Sequence, residues 1–423
     1  MKKYLTGLLS CLAVTLSAAG MLDCPLNESI KIDGVVSKGE WDTAWKSDKF
    51  HLFSHTDMRK KPIVEPVVLA GNPTSVRMAM SPDCLYILFE SRLKEGYQWK
   101  KNAAVKTEKD VHNVDTVEVF IRPNRSLDFY QFAVSIAGNR FDANGTISRL
   151  GTRIHTHEWN NTAWKSAVTY TKNSYTVEMA IPWSIFQIEP RNFYVNFTRS
   201  AVSYGENQSY LPLRGRAWAQ PQNFVRMNLN MPLIRPVYVD NNVLPDPVMG
   251  NNSFAPFFIN ATAKDQPASV CIEVNGKKVV KEFVVPAEKR IQVPIVYPIS
   301  SNSGKRVFSY SHGGRVLYQG EAERFNLSGT FVLQHPVQRS DRQVTGVFTL
   351  PFEKNTLKNS TVYFTIKADG GKTISRQMKY SEVLNMGMFA PGRYQAGLEL
   401  RDGAKQVLFK KEFSFNVIPA PVW

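Results

Sequence analysis

Two carboxylates, Asp115 and Glu118, stand three residues apart in the segment DTVEVFI and are the first candidates for chemistry. A glycoside hydrolase needs two carboxyl groups held across a cleft, about 5 to 10 Å apart. Two acids on neighbouring positions of one strand cannot flank a bond in that way. They can accept hydrogen bonds from the hydroxyl groups of a polar ligand, and the charge strengthens such bonds. The pair therefore favours ligand binding over hydrolysis, although from these residues alone a solvated strand carboxylate at Glu118 is the favoured interpretation.

The element that carries these acids is predicted from its alternation of side chains. Residues 117, 119 and 121 are aliphatic and fall on one face of a strand, whereas Glu118 falls on the other with residues 116 and 120. The turn sequence RPNRS follows, and FYQFAVSI then resumes the alternation as an antiparallel partner. Residues 110–136 are therefore predicted to form a strand pair that holds Glu118 beside an apolar core.

The whole chain indicates β structure in three domains after a leader. Residues 21–232 contain short alternating segments, among them a short predicted strand that ends in a turn at residues 29–35, and no long helical period. Proline becomes dense after Met231, and two further sets of short strands follow at residues 233–326 and 327–423; Asn275-Gly276 predicts a hairpin turn in the first set. Short strands at this spacing are typical of immunoglobulin-like sandwiches. We expect an all-β fold, an antiparallel β-sandwich followed by two immunoglobulin-like β-sandwiches.

Residues 1–20 are typical of a secretory signal peptide. Lys2 and Lys3 supply the positive start, an apolar stretch follows, and Ser17-Ala-Ala19 supplies small residues for cleavage. The sequence Leu8-Leu-Ser-Cys11 resembles a lipoprotein cleavage box but falls early in the apolar stretch, so lipidation is the less favoured alternative. No later segment reaches eighteen apolar residues, and no transmembrane segment is predicted. We expect a protein that is secreted, periplasmic or on the cell surface, from a bacterial host.

The net charge of the chain limits which chemical classes of binding partner are expected. The chain has 52 basic and 36 acidic residues, and its net charge of +16 falls to +14 when the leader is removed with its two lysines. A basic excess favours acidic partners, such as sulfated or uronate-bearing glycans. The basic residues are scattered and no nucleic-acid-binding motif occurs, so nucleic acid is not predicted as a partner. Solubility charge on an exported surface is the simpler interpretation.

Three cysteines, Cys24, Cys84 and Cys271, remain after Cys11 leaves with the leader, an odd number that cannot pair completely within the chain. Cys24 precedes the first strand and Cys84 opens a central one. In an oxidising compartment, a Cys24–Cys84 disulfide is predicted. No Cys-x-x-Cys motif occurs, which speaks against a zinc or redox site, and no metal or cofactor is predicted.

The order of motifs in the first domain resembles the carbohydrate-binding module family 9 and its DOMON-like relatives. The matching motifs cover about half of the chain and are Ile32-Asp-Gly34, Glu40-Trp41, Asp83-Cys-Leu-Tyr86, Asp115-Thr-Val-Glu118, Tyr130-Gln-Phe132, Val177-Glu-Met-Ala-Ile-Pro-Trp183, Val195-Asn-Phe-Thr-Arg199 and Trp218-Ala-Gln-Pro221. The resemblance implies a β-sandwich on a secreted carbohydrate-active protein, a polysaccharide or glycan as ligand, and a role in polysaccharide metabolism. In bacteria such modules often precede immunoglobulin-like modules and a catalytic domain. A separate carbohydrate-active enzyme is therefore an implied partner.

Family members grip a terminal sugar between two aromatic rings, and carboxylate and amide groups bind its hydroxyls. The resemblance assigns Trp218 as one of the rings. Asp115 and Glu118 match the acidic pair, and Gln131 is the amide candidate. The chain is thus expected to be a non-catalytic binder.

The second ring and one cation of the family differ in this sequence. The second aromatic position holds His112, and an arginine after the Gln-Phe pair is replaced by Ala133. Trp99, in the polar loop at residues 91–110, is a candidate for the lost ring, and Trp159 is a more distant one.

Two alternatives stay open. His112 and Ala133 favour a structural or cell-surface interaction protein whose sandwich has lost sugar binding. The minor alternative is a haem- or metal-binding DOMON-like protein, with ligands from the pair His155-x-His157 and from Met78 and Met80. No nucleophile elbow, phosphate loop or His-Glu-x-x-His motif is present, and no enzymatic activity is predicted.

Overall fold

The computed structural model describes residues 21–52, 68–72, 74–97, 108–147, 153–156, 159, 161–189, 191–212, 220–240, 243–335 and 337–421. The chain divides into two compact units after Pro236. The predicted signal peptide, residues 1–20, lies outside the described residues. In the ranges given above, no helix is long and apolar enough to cross a membrane.

The first unit is built almost entirely of strands. Its strands are β1 (Leu22–Asp23), β2 (Trp45–Ser47), β3 (His51–Leu52), β4 (Thr74–Met80), β5 (Cys84–Arg92), β6 (Thr116–Arg122), β7 (Phe129–Ser135), β8 (Arg140–Ile147), β9 (Arg153–Thr156), β10 (Lys165–Tyr170), β11 (Ser174–Pro182), β12 (Tyr194–Ala201), β13 (Glu206–Ser209) and β14 (Val225–Asn228). Short 3-10 helices lie at Glu108–Asn113, Trp183–Ile185, Val202–Tyr204 and Pro221–Asn223, and a single α-helical turn, α1, at Met231–Ile234.

These strands form two sheets that pack face to face. The large sheet has the order β1-β14-β12-β6-β7-β8-β9, with β13 beside β12 and β3 beside β13, and the small sheet has the order β10-β11-β5-β4-β2. One apolar cluster lies between them and joins side chains such as Val119 and Phe132 of the large sheet to Ile87, Phe89 and Val177 of the small one. The first unit is therefore a β-sandwich, and β1 and β14, its outermost strands in sequence, pair in parallel.

The predicted strand pair around Glu118 is confirmed. β6 and β7 are antiparallel, with Glu118 opposite Ala133 and Val119 opposite Phe132. The aliphatic residues 117, 119 and 121 lie in the core between the sheets. The alternation of a strand therefore directs Glu118 to the other face of the large sheet, which we call the outer face.

The turn predicted at the end of residues 29–35 is confirmed, but the short strand before it is wrong, because buried side chains take hydrogen bonds that a neighbouring strand would supply. Glu178 Oε2 accepts the backbone N–H groups of Asp33 at 3.2 Å and Gly34 at 2.7 Å. Gly34 has a φ of +84°, and a Cβ at this position would lie 2.6 Å from Thr169 Oγ1. Burial raises the pKa of Glu178, while the bonds from Gly34, Trp41 and Asp33 act in the opposite direction. The segment is therefore a turn tied to β11.

The second unit is also built of strands, with one short helix, α2, at Lys354–Lys358. Its strands are β15 (Val237–Val239), β16 (Gly250–Phe254), β17 (Phe257–Asn260), β18 (Gln266–Val274), β19 (Lys277–Val285), β20 (Arg290–Gln292), β21 (Ile295–Ile299), β22 (Ser303–His312), β23 (Arg315–Gln319), β24 (Glu323–Asn326), β25 (Thr330–Leu333), β26 (Gln338–Arg339), β27 (Val344–Thr349), β28 (Thr361–Ala368), β29 (Thr373–Lys379), β30 (Val383–Gly387), β31 (Gly392–Arg401) and β32 (Val407–Ile418).

Two apolar clusters divide this unit. Strands β15 to β24 form sheets around a cluster that runs from Val237 to Leu327, and strands β25 to β32 form sheets around a second cluster from Phe331 to Val417. The Asn275-Gly276 hairpin is confirmed: β18 and β19 are antiparallel, and the two turn residues have φ values of +49° and +82°. The all-β prediction of a sandwich followed by immunoglobulin-like sandwiches is likewise confirmed.

The predicted Cys24–Cys84 disulfide is wrong, since Cys24, Cys84 and Cys271 are all free thiols. Cys24 lies in the core between the two sheets of the first unit. Leu85 faces the same core, so the alternation of β5 turns Cys84 to the opposite face, where its side chain contacts Tyr86. The small sheet therefore separates the two sulfur atoms.

Candidate functional site

Polar side chains converge on the outer face of the large sheet where β6, β7 and β12 run side by side. Glu118 of β6 lies opposite Thr198 of β12 on one side and Ala133 of β7 on the other. Gln131 is the next outer-face residue along β7. We call Glu118, Gln131, Thr198 and the adjacent His112 the Glu118 site.

Glu118 is buried but incompletely hydrogen-bonded. Its exposed fraction is 2%, so the alternative of a solvated strand carboxylate is wrong. Gln131 Nε2 donates to Glu118 Oε2 at 2.5 Å. Glu118 Oε1 lies 3.8 Å from His112 Nδ1, which is longer than a hydrogen bond. One carboxylate oxygen therefore keeps capacity to accept a bond from a ligand hydroxyl.

Thr198 is the site residue that sequence reasoning missed. It is fully buried, and within the described residues its Oγ1 has no hydrogen-bond partner. The neighbouring outer-face residue Asn196 shows the usual outcome, because its amide bonds Ser209 Oγ at 3.1 Å and the N–H of Leu211 at 3.2 Å. An unsatisfied buried hydroxyl costs about 1–3 kcal/mol. It lies opposite Glu118 in the pairing of β12 with β6.

His112 closes one side of the site. It lies in the 3-10 helix Glu108–Asn113 and is partly exposed, with its ring edge-on to Phe141 at 5.7 Å between centroids. Phe141 lies opposite Ala133 in the β7–β8 pairing, so both share the outer face with Glu118. His112 thus offers the site both a ring and a ring nitrogen.

The prediction that Asp115 accepts ligand hydroxyls is wrong. Asp115 is fully buried, and Arg199 Nη2 donates to its Oδ1 at 2.7 Å. The backbone N–H of Ser203 donates to its Oδ2 at 2.8 Å. Arg199 faces the core, beside Tyr175, whose pKa burial raises to about 12. Both carboxylate oxygens are thus occupied within the fold, and Asp115 anchors Arg199 rather than a ligand.

Three tryptophans were predicted as candidates for the rings of a sugar site, and the structure describes one of them. Trp218 and Trp99 lie outside the described residues. Trp159 is buried and packs against Tyr130 at 5.0 Å and Phe132 at 5.6 Å between ring centroids. Both of these rings belong to the core side of β7. Trp159 therefore cannot serve as the second ring of a sugar site on the outer face.

Two of the ligands proposed for the haem or metal alternative, Met78 and Met80, do not reach a surface where a cofactor could bind. Met78 and Met80 are buried in the apolar cluster between the sheets. The side chain of His155 and the whole of His157 fall outside the described residues. Among the residues that the structure describes, no three His, Cys, Asp or Glu side chains are grouped so as to hold a metal ion.

The side chains of the Glu118 site include groups that can bond hydroxyls. A carboxylate, an amide and a hydroxyl on one face supply acceptors and donors at the spacing of neighbouring strands. Glycoside hydrolysis would need a second free carboxyl group across the site. Asp115, the nearest acid in sequence, is engaged on the core side. The chemistry of the described residues is therefore that of hydroxyl recognition.

Residues 32–229 match the family model for the Carbohydrate family 9 binding domain-like family. Solved structures similar to the chain include a carbohydrate binding module family 9 from Caldicellulosiruptor kristjanssonii in complex with glucose, with 14% identity over 53% of this chain and 100% of that one and a TM-score of 0.32. A carbohydrate binding module family 9 from the same organism in complex with cellotriose has 16% identity over 54% of this chain and 99% of that one, with a TM-score of 0.32. Fibronectin(III)-like modules of Clostridium thermocellum CbhA have 10% identity over 43% of this chain and 94% of that one, with a TM-score of 0.17.

The sequence matches none of the curated proteins compared with it. The family match extends from the turn at Asp33-Gly34 to the end of β14, and so spans both sheets and the Glu118 site. The resemblance expected from the motifs is confirmed: residues 32–229 form a carbohydrate family 9 binding domain-like domain.

Proposed function

We propose that this protein is an exported, non-catalytic carbohydrate-binding protein that recognises a glycan at the Glu118 site. The family match supports carbohydrate binding as the general role. The observation that carries the assignment is the unused hydrogen-bonding capacity of Glu118 Oε1 and Thr198 Oγ1, which lie on directly paired strand positions. A sugar hydroxyl can donate to the carboxylate, and a neighbouring hydroxyl can bond the threonine.

The remaining contacts follow from the geometry and from the resemblance. Gln131 orients Glu118 through its 2.5 Å bond. His112 flanks the carboxylate. Trp218, by the resemblance, stacks on the face of the sugar ring, and Trp99 is the proposed second ring. By the resemblance, we also propose that a separate carbohydrate-active enzyme acts on the same polysaccharide.

A glycan array of neutral and acidic sugars, read at low and high salt, identifies the ligand class. Binding that survives high salt indicates a pocket of hydrogen bonds and stacked rings, since salt screens exposed charges beyond about 10 Å at 0.1 M. Signal confined to acidic glycans and lost in high salt would instead assign binding to the basic surface. If no glycan is bound at all, the interaction-module alternative becomes the better account.

Glu118→Gln tests the site itself by calorimetric titration of the best ligand from the array. Gln131 can still donate to the new amide oxygen, so we expect the fold to persist. Loss of a charge-assisted bond worth about 1.5–3 kcal/mol should weaken binding about 10- to 100-fold. Glu282→Gln, which changes an exposed strand carboxylate in the second unit, is the matched control. Equal affinity of the Glu118→Gln variant and the wild type would refute the site.

A further inference from the structure

A groove crosses the outer surface of the five-stranded sheet β26-β32-β31-β28-β29 in the second unit. It has a volume of about 570 Å³, within the range of about 300–1,000 Å³ that ligand sites occupy. Phe364 and Leu398 of these strands point into the sandwich core. Strand alternation therefore turns their neighbours Tyr363, Thr365 and Gly397 outward into the groove.

The floor of the groove is a row of small side chains that runs across the strands. Gly397 of β31 lies opposite Thr365 of β28, which lies opposite Ser375 of β29. A Cβ at Gly397 would come within 3.0 Å of Thr365 Oγ1, so the glycine keeps this depression open. From β32 to β29 the row spans three inter-strand gaps, or about 14 Å. An elongated ligand can therefore lie at right angles to the strands.

One wall of the groove is the adjacent row, which combines an aromatic ring with polar groups. Tyr363 of β28 lies opposite Glu399 of β31 and Gln377 of β29. The guanidinium of Arg401 lies 4.9 Å from the centroid of the Tyr363 ring. A ring beside an amide, a carboxylate and hydroxyls matches the apolar faces and hydroxyl rims of sugars.

The charges that line the groove largely cancel. Arg401 Nε donates to Glu399 Oε1, and Lys410 Nζ lies 3.9 Å from Glu412 Oε1. Arg376 of the edge strand lies opposite Phe364, which faces the core, so its side chain is turned to the inner face of the sheet. Although the chain carries a net charge of +16, the outward side chains of this groove thus supply two carboxylates and two cations. An uncharged ligand fits this balance better than a polyanion.

We propose that this groove is a second glycan-binding site, which takes an extended neutral polysaccharide across strands β32, β31, β28 and β29. Tyr363 stacks on a sugar face, and Thr365, Ser375 and Gln377 bond hydroxyls along the chain. The paired Glu399 and Arg401 present an acceptor and donors in fixed positions. The proposal stands independently of the Glu118 site, because no residue is shared.

The test uses the full chain carrying Glu118→Gln, so that binding at the first site is weakened. Affinity electrophoresis with a panel of soluble neutral glucans, mannans and xylans should identify a polysaccharide that still binds. Calorimetric titration with a short oligosaccharide of that polysaccharide should then show one binding site per chain. Thr365→Gln fills the floor and Tyr363→Ala removes the ring, and each should weaken that binding at least tenfold. Thr349→Gln, an exposed strand threonine on the other sheet of the same sandwich, is the matched control and should change nothing.

Residual binding that is unaffected by Thr365→Gln and Tyr363→Ala would overturn the proposal, as would the absence of any residual binding once Glu118 is replaced. Retention of sulfated or uronate polymers alone, with loss in high salt, would also overturn it. In contrast, binding that falls fully with Thr365→Gln but not with Glu118→Gln would support the groove and refute the Glu118 site. The experiment can therefore refute the Glu118 site and the groove independently of each other.

Discussion

At the scale of single residues, Asp115 and Glu118 show how spacing decides the use of a carboxylate. Residues three apart on an extended chain point to opposite faces, and the two acids do so here. Glu118 reaches the outer face with one oxygen unbonded, while Asp115 is consumed by Arg199 and Ser203. The strand pattern correctly predicted the face of Glu118, and the family motifs made Gln131 an amide candidate. The sequence could not assign Asp115, because its partner Arg199 lies 84 residues away.

Thr198 allows a prediction in which stability and binding move in opposite directions. Thr198→Val keeps the shape of the side chain and removes the unpartnered hydroxyl. We expect the free protein to be as stable as the wild type or up to about 1–2 kcal/mol more stable, since a buried polar group no longer lacks a partner. Glycan affinity should fall about fivefold to tenfold, the value of one neutral hydrogen bond.

Chemical denaturation and calorimetric titration measure the two effects on the same sample. Thr176→Val, a partly exposed threonine in β11 of the small sheet, is the control and should leave glycan affinity unchanged. A loss of stability together with unchanged affinity would show that the hydroxyl serves the fold and not a ligand.

At the scale of strands and turns, alternation and turn chemistry predicted most of what forms. The pairing of β6 with β7 and the Asn275-Gly276 hairpin depend on neighbours in sequence, and both are confirmed. The segment at residues 29–35 looked like a strand, but its donors are taken by Glu178, about 145 residues away. Long-range side-chain bonds of this kind leave no local pattern. They account for the missing strand at residues 29–35, as they do for Asp115.

The cysteines allow a prediction at the same scale, because a sheet separates Cys24 from Cys84. Burial raises the pKa of the Cys24 thiol, and burial followed by the charge of Asp83 raises that of Cys84 to about 11. At pH 8 the folded chain without residues 1–20 should therefore react slowly with a thiol reagent at Cys84 and not at Cys24. The rate at Cys84 should rise with pH until about 11, as the thiolate forms.

Denaturation should release three reactive thiols per chain, since none is paired. Cys271→Ser isolates the signal of Cys84 in the folded protein and should lower the denatured count to two. A count of one in the denatured wild type would instead mean that Cys24 and Cys84 form a disulfide after all.

At the scale of the whole molecule, the two compact units have separate cores, and each carries one proposed site. Differential scanning calorimetry should therefore resolve more than one transition. A ligand at a concentration 100 times its dissociation constant stabilises the unit that binds it by about 2.7 kcal/mol. A neutral polysaccharide that occupies both sites should raise the transitions of both units.

Single substitutions at the two proposed sites distinguish the ligand-induced shift of the first unit's thermal transition from that of the second unit. Glu118→Gln should remove only the shift of the first unit, and Thr365→Gln only that of the second. Thr349→Gln should leave both shifts in place. Loss of both shifts from either single change would mean that the sites do not act independently.

The parallel pairing of β1 with β14 has a mechanical consequence. The pair joins Leu22 to Met227 and Asp23 to Asn228, and the N–H of Cys24 adds a bond to the carbonyl of Asn228. The chain enters β1 at one end of the pair and leaves β14 at the opposite end. Tension along the polypeptide therefore slides the two strands past each other and loads their bonds together, instead of opening them one by one. When tension is applied along the chain of a protein bound to a polymer, this shear geometry resists separation of β1 from β14.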